Sequence, residues 1–94
     1  MLEITKLSNI KPFKTARVVK VNINGDMRRR FLDIGLIKGE IVKRLYNSPF
    51  NDPVAYLIRD NVIAIRKKDS DNILVEVEKD YELWRSSMKE LKKS

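Results

Sequence analysis

Three consecutive arginines, Arg28, Arg29 and Arg30, are the side chains of this chain best suited to specific binding chemistry. Guanidinium groups bind carboxylates and phosphates through paired hydrogen bonds, so the cluster predicts a docking surface for an acidic partner or a phosphate. A cation in the first turn of a helix interacts unfavourably with the helix dipole and destabilises the helix by about a few tenths of a kcal/mol when it is exposed. Folding alone therefore does not favour cations at these positions. The alternative is a solvated face, with Arg30 covering apolar surface by its stem.

Catalysis and tight metal binding have few candidate residues. The chain contains neither cysteine nor histidine, which excludes disulfides, thiolate chemistry, the usual zinc sites and a histidine general base. We therefore expect no enzyme, no catalytic residue and no tightly bound cofactor. The nearest carboxylate cluster contains Asp69, Asp71, Glu76 and Glu78, whose spacing does not match an EF-hand. A solvated turn and strand edge is the preferred interpretation, and a weak site for a divalent transition metal is the alternative.

Composition indicates one small globular domain with a basic surface. The 94 residues carry a formal charge of +7 and a calculated pI near 9.8, which suits polyanionic or acidic partners. No apolar run approaches the length of a membrane span, and residues 1–6 lack the features of a signal peptide. The sequence therefore predicts a cytoplasmic location.

The arginines are expected on a short helix that begins at Asp26. Met27, Phe31 and Ile34 recur at helical spacing and define one apolar face. Gly35 is predicted to end the helix in a left-handed conformation, with Leu36 folding back towards Phe31. A helix of about two turns is unstable alone in water, so it must pack against strands.

Alternating apolar residues predict about five strands and hence a small all-β barrel. Residues 2–13 are expected to form an irregular lead-in, Asp60 and Asn61 a two-residue hairpin turn, and residues 67–72 a polar turn. The predicted strands span residues 15–23, 40–46, 54–59, 62–66 and 73–77.

Two further segments carry candidate contact residues. Residues 47–53 form a loop in which Pro49, Asp52 and Pro53 could present a rigid tip to a partner, although a local Asx turn is the preferred interpretation of Asp52. Residues 80–93 are predicted to form an amphipathic C-terminal helix for self-association or for docking on the barrel. Its apolar stripe consists of Tyr81, Trp84, Met88 and Leu91.

The stretch from Gly25 to Gly39, followed by Ile41 and Val42, resembles the signature of the ferrous iron transport protein A (FeoA) family. The Pro-Phe-Asn-Asp-Pro loop at 49–53 and the Ile-Ala-Ile-Arg-Lys segment at 63–67 resemble two further blocks of that family. The resemblance covers about residues 4–78. It implies an SH3-like β-barrel over residues 1–79, with one short helix between its first two strands and the C-terminal helix of residues 80–94 appended.

The resemblance also implies a function in ferrous iron uptake. The expected protein is a cytosolic, non-enzymatic accessory that docks on the GTP-binding part of a FeoB-type membrane transporter and modulates it, touching the membrane only through that transporter. Weak self-association would use the C-terminal helix. The partner-binding residues are then expected to be Arg28, Arg29, Arg30, Leu36, Pro49, Asp52 and Pro53.

Three other functions stay open at this point. One of the arginines could act as an arginine finger in the GTPase reaction of the transporter. A small basic barrel could bind nucleic acid, with Tyr46, Tyr56 and Phe50 as the candidates for base stacking. A metal-responsive module like those of iron-dependent repressors would bind Fe²⁺ or Mn²⁺ through Asp69 and Asp71.

Overall fold

A computed structural model describes residues 2–47 and 51–78 of the chain. Six strands form one antiparallel sheet in the order β1-β6-β2-β3-β4-β5. The strands are β1 Leu2–Lys6, β2 Thr15–Val21, β3 Ile41–Asn47, β4 Val54–Ile58, β5 Asn61–Ile65 and β6 Ile73–Glu78. The predicted all-β class is confirmed.

The first strand was not expected. The segment predicted to be an irregular lead-in contains β1, which pairs with β6 from Leu2 opposite Glu78 to Lys6 opposite Leu74. A single 3₁₀ turn, Leu7–Asn9, follows it and buries Leu7 completely. The sheet therefore has six strands rather than about five.

Two helical segments interrupt the strands. Helix α1, Gly25–Asp33, lies between β2 and β3, which are the two strands predicted on either side of it; they are the second and third strands because β1 precedes them. It begins one residue before Asp26, and Asn24 occupies the N-cap position without a side-chain capping hydrogen bond. The predicted polar turn at 67–72 contains one helical turn, α2, Lys67–Ser70.

The hairpin between β4 and β5 turns one residue earlier than predicted. Arg59 and Asp60 occupy the turn and both have positive φ, 48° and 67°. That conformation matches a type I′ turn, whose twist suits a two-residue hairpin. Asn61 is consequently the first residue of β5, opposite Ile58.

The core lies between the curved sheet and α1. Alternation along β4 buries Val54, Tyr56 and Ile58. The other strands, the helical segments and the connections between them supply the rest of the core, namely Leu7, Ile10, Ala16, Val18, Ile23, Phe31, Leu36, Val42, Ile65, Ile73 and Val75. Helix α1 is thereby fixed by its apolar face, as expected for a helix too short to be stable alone.

Within residues 2–47 and 51–78, no helix is both long enough and apolar enough to cross a membrane.

Candidate partner-docking site

Helix α1 divides its residues between a buried and an exposed face. Phe31 is 7% exposed, and Met27 and Ile34 pack against the core beside it. Arg28, Arg29 and Arg30 are all exposed. Their side chains form no ion pair or hydrogen bond with any residue in the part of the chain that the structure describes. The helix therefore presents three unneutralised cations around its solvent side, and whether they form a docking surface stays a prediction.

A groove of about 530 Å³ runs beside this helix. Its lining is largely apolar, with Phe31 from α1, Ile34 at the helix C-cap, and Ile63 and Ile65 from β5. Its charged lining consists of Arg30, Arg66, Lys68 and Asp69. Three cations against one carboxylate leave the lining with a net charge of +2.

The two halves of the groove come from segments far apart in sequence. Arg66, Lys67 and Lys68 are recognisable as a basic cluster, but nothing in the sequence places them opposite Arg30. The residues missed at the sequence level are thus Arg66 and Lys68 with Ile63. Only the path of the β4–β5 hairpin brings them beside α1.

The C-terminal end of α1 is fixed by backbone geometry. The Leu36 amide donates to the Phe31 carbonyl at 2.9 Å, and the Gly35 amide donates to the Leu32 carbonyl at 3.1 Å. These two bonds define a Schellman motif, and Gly35 has the left-handed φ of 94° that it needs. The predicted helix end is confirmed.

Gly35 also permits a close approach by the β4–β5 turn. A Cβ atom at this position would lie 2.7 Å from Cδ and 2.9 Å from Nε of Arg59. Arg59 crosses the glycine and donates from Nη2 to Oε1 of Glu40 at 2.6 Å. This contact connects the hairpin that carries β5 to the end of α1.

The Arg59–Glu40 pair alters the acidity of both groups. The hydrogen bond from Arg59 lowers the pKa of Glu40 below its ordinary value, and the same bond raises the pKa of Arg59. Both side chains are substantially exposed, so the pair contributes little to stability in water.

Leu36 does not belong to the docking surface. Its side chain is 0% exposed and packs in the core, so the expected partner contact by Leu36 is wrong for this conformation. The Schellman motif explains the burial, because it folds the residue after Gly35 back over the helix.

Asp52 connects its loop to α2. Its Oδ1 accepts a hydrogen bond from the backbone N–H of Lys67 at 2.8 Å, at the start of the helical turn. The contact joins residues far apart in sequence, whereas the predicted Asx turn would have been local. Pro53 is half-buried at the start of β4. Pro49 lies outside the described residues, as do Tyr81, Trp84, Met88 and Leu91.

The candidate metal ligands are not assembled into a site. Asp71 accepts a hydrogen bond from the Ser8 hydroxyl, and its Oδ2 lies 3.0 Å from Nζ of Lys67. The Ser8 bond first, and then Lys67, lower the pKa of Asp71. Asp69 instead lines the groove. Across residues 2–47 and 51–78, no three carboxylates converge as metal ligands.

The aromatic candidates for base stacking differ in how far their side chains are exposed. Tyr56 is 1% exposed, and burial raises the pKa of its hydroxyl. Tyr46 is 64% exposed, and so is Phe13, which has a positive φ of 67° beside β3. Phe50 lies outside the described residues.

Comparison with known proteins gives one matching family model, the FeoA domain, over residues 5–77. A fusion of Fe(2+) transport protein A with the Fe(2+) transporter FeoB, from Porphyromonas gingivalis, is 32% identical over 72 residues. The match covers 77% of this chain but only 8% of the length of that relative.

Solved structures show the same fold. The FeoA protein of Chlorobium tepidum superposes with a TM-score of 0.74 at 30% identity, covering 78% of this chain and 70% of that one. The zinc complex of Stenotrophomonas maltophilia FeoA, described as an SH3 domain protein, superposes with a TM-score of 0.67 at 22% identity. It covers 79% of this chain and 96% of that one. The predicted SH3-like fold is therefore confirmed.

Proposed function

This chain belongs to the FeoA family, and from that premise we propose that it is a non-enzymatic accessory of ferrous iron transport that docks on a FeoB-type transporter. The fusion of the two proteins in Porphyromonas gingivalis supports a partnership between them. The docking point we propose is the cytosolic GTP-binding part of the transporter, which places this chain in the cytoplasm.

The single observation that carries the docking proposal is the exposed arginine face of α1. Arg28, Arg29 and Arg30 project from a helix whose opposite face is fixed in the core. Because the helix backbone is already ordered and the planar guanidinium loses less freedom per hydrogen bond than an ammonium does, such a face favours specific recognition of an acidic surface. The transporter, rather than this chain, would supply the GTPase chemistry and move the iron.

Binding to the cognate transporter in detergent tests the proposal. The titration is run at about 0.15 M salt, where the Debye length is about 8 Å and long-range attraction is screened. Wild-type protein is expected to bind saturably, and the Arg28→Ala/Arg29→Ala/Arg30→Ala variant to lose that binding. Circular dichroism verifies beforehand that both proteins fold.

A second triple variant controls for net charge. Lys11→Ala/Arg17→Ala/Lys20→Ala also removes three exposed cations, but none of them from α1. It is expected to bind as the wild type does. Equal weakening by both triples would reduce the interaction to bulk electrostatics, and no saturable binding by the wild type would reject the docking function.

Nucleic-acid binding is a second candidate because of one observation at β3. Phe13 and Tyr46 are both largely exposed, and the Phe13 amide donates to the Arg44 carbonyl at 2.6 Å. Exposed aromatics beside basic residues are what stacking on single strands requires. Binding of a generic oligonucleotide with a steep salt dependence, lost in Phe13→Ala/Tyr46→Ala, would favour this function over docking.

A further inference from the structure

The groove between α1 and β5 has one open wall that is a strand edge. Strand β5 stands last in the sheet order, and among the described strands it pairs only with β4. Four successive residues of this segment, from Ile63 to Arg66, line the groove. Because side chains alternate between the faces of a strand, a run of neighbours lining one groove means that the backbone edge itself faces it.

The turn geometry identifies which backbone groups point outwards. Ile58 and Asn61 flank the two-residue turn, so they form a hydrogen-bonded pair of the hairpin. Such pairs alternate with non-hydrogen-bonded pairs along an antiparallel ladder. The N–H and C=O groups of Val62 and Ala64 are therefore directed away from β4, towards the free edge. Both residues are exposed.

The chemistry of the groove selects the kind of segment that could pair there. Ile63, Ile65 and Phe31 offer an apolar floor, while Arg30 and Arg66 stand at its sides. The charged lining has a net charge of +2, and the neighbouring Arg28 and Arg29 add to the positive potential. An extended peptide with alternating apolar and acidic side chains would direct one set to the floor and the other to the cations.

We propose that this groove binds an acidic, alternating segment of the partner protein, which adds to β5 as a further strand. The proposal rests on the docking function above and names the feature of the transporter that is recognised. Main-chain hydrogen bonds to Ala64 would supply affinity, and the basic lining would supply selectivity for an acidic segment.

Nuclear magnetic resonance titration of the full chain with two synthetic peptides tests the proposal. The first peptide is Glu-Val-Glu-Leu-Glu-Val-Glu, and the second replaces every glutamate with lysine. We expect saturable shifts of the Val62, Ala64 and Phe31 amides with the acidic peptide and none with the basic one. Shifts confined to other surfaces, equal responses to both peptides, or no response would overturn the proposal.

Two substitutions at Ala64 distinguish the contribution of its backbone N–H to peptide binding from that of its side chain. Proline is tolerated at strand edges but lacks the N–H, so Ala64→Pro is expected to bind the acidic peptide at least about tenfold more weakly. Ala64→Ser keeps the N–H and is expected to bind as the wild type does. Equal affinity of the proline variant would overturn strand addition.

A charge-reversal variant keeps the test decisive if Ala64→Pro does not fold. Arg66 and Lys68 are both exposed, so Arg66→Glu/Lys68→Glu is expected to fold normally. It should lose the acidic peptide and gain the basic one. An unchanged preference for the acidic peptide would overturn the proposed role of the basic lining.

Titration of the same variants with the detergent-solubilised transporter distinguishes the two proposals. A transporter that binds wild type and Ala64→Pro equally would overturn the groove as the docking point, while leaving the docking function intact. A transporter that binds neither would reject the docking function, and the peptide titration alone would then decide whether the groove takes acidic strands.

Discussion

The two ends of helix α1 differ in what fixes them. At the C-terminal end, Gly35 adopts a left-handed conformation, Leu36 is buried and Arg59 covers the glycine. At the other end, Asn24 makes no side-chain cap and the arginines are exposed without partners among the described residues. The contrast teaches that the stretch from Gly25 to Gly39 combines two kinds of position. Gly35 and Leu36 are fixed by backbone geometry and burial, whereas the three arginines make no ion pair or hydrogen bond among the described residues.

The largest effect is expected at the buried end. Leu36→Ala removes a fully buried side chain and should lower the free energy of unfolding by roughly 2–5 kcal/mol, as large-to-small core substitutions do. Urea denaturation measures the loss. Leu32→Ala, on a residue that is 47% exposed, is the matched control and should change stability by less than about 1 kcal/mol.

Binding to the transporter tests the same difference between the two ends of α1. The folded fraction of Leu36→Ala is expected to bind the transporter with wild-type affinity, because the side chain does not reach the surface. If Leu36→Ala lost affinity for the transporter without losing stability, Leu36 would be a partner-contact residue. The distinction between the two ends of α1 would then be wrong.

The next largest effect is expected at the helix end itself. Gly35→Ala should destabilise the fold by about 1–2 kcal/mol, since an L-residue pays that penalty in a left-handed conformation. Gly39 has the same φ of 94° but open space around it, so Gly39→Ala is a matched control for the backbone term. Thermal unfolding of both variants isolates the contact with Arg59.

Gly35→Ala is expected to lose more stability than Gly39→Ala, because its new Cβ must displace the Arg59 side chain. When it is measured against an Arg59→Ala protein, the loss of stability caused by Gly35→Ala should equal the loss caused by Gly39→Ala in the wild type. Equal losses of stability in Gly35→Ala and Gly39→Ala would mean that the Arg59 side chain moves aside at no cost and does not fix the end of α1.

A smaller, pH-dependent effect is expected from Glu40. Its folded-state pKa lies below the ordinary value of 4.5, so its pairing with Arg59 stabilises the fold above that pH. The contribution is lost as the pH falls through the lowered folded-state pKa. The stability difference between wild type and Glu40→Gln should therefore shrink between about pH 7 and pH 3. Urea titrations at both pH values measure it, and a constant difference would contradict the pairing.

The smallest effect on stability is expected at the exposed end. The Arg28→Ala/Arg29→Ala/Arg30→Ala variant should unfold within about 0.5 kcal/mol of the wild type, because Arg30 lies in the last turn, where a cation suits the helix dipole, and its loss offsets the gain from removing the cations nearer the first turn. Denaturant unfolding measures it. A loss above about 1 kcal/mol would show that the arginines support the fold, and the comparison of the two ends would fail.

Local patterns were sufficient to predict most of the fold. Residues of α1 at helical spacing and the glycine that ends it specified both its buried face and its Schellman motif. Strand β1 was missed because its five residues are almost all exposed and gain their structure from β6, some seventy positions away. Leu2 and Ile4 do alternate with polar neighbours, which is a weak local signal of a strand, but the partner that orders the strand lies far away in the sequence.

The register of the β4–β5 hairpin shows a second limit. A turn at Asp60 and Asn61 would pair Tyr56 with Ile65, whereas the observed turn pairs Tyr56 with Ile63. The two registers differ by two residues, so both keep the same side chains on the core face. The alternation of apolar and polar residues therefore could not distinguish the two registers. Without the register, the sequence could not show which residues of β5 lie beside Arg30.

The pairing of β1 with β6 has a consequence for how such a domain is joined to others. Leu2 lies opposite Glu78, so the chain enters and leaves the sheet at one corner. A segment that continues the chain from either strand would start from that corner. Covalent attachment to a larger protein, as in the Porphyromonas gingivalis fusion, raises the local concentration of a domain near its neighbour and requires no new contact on the domain itself.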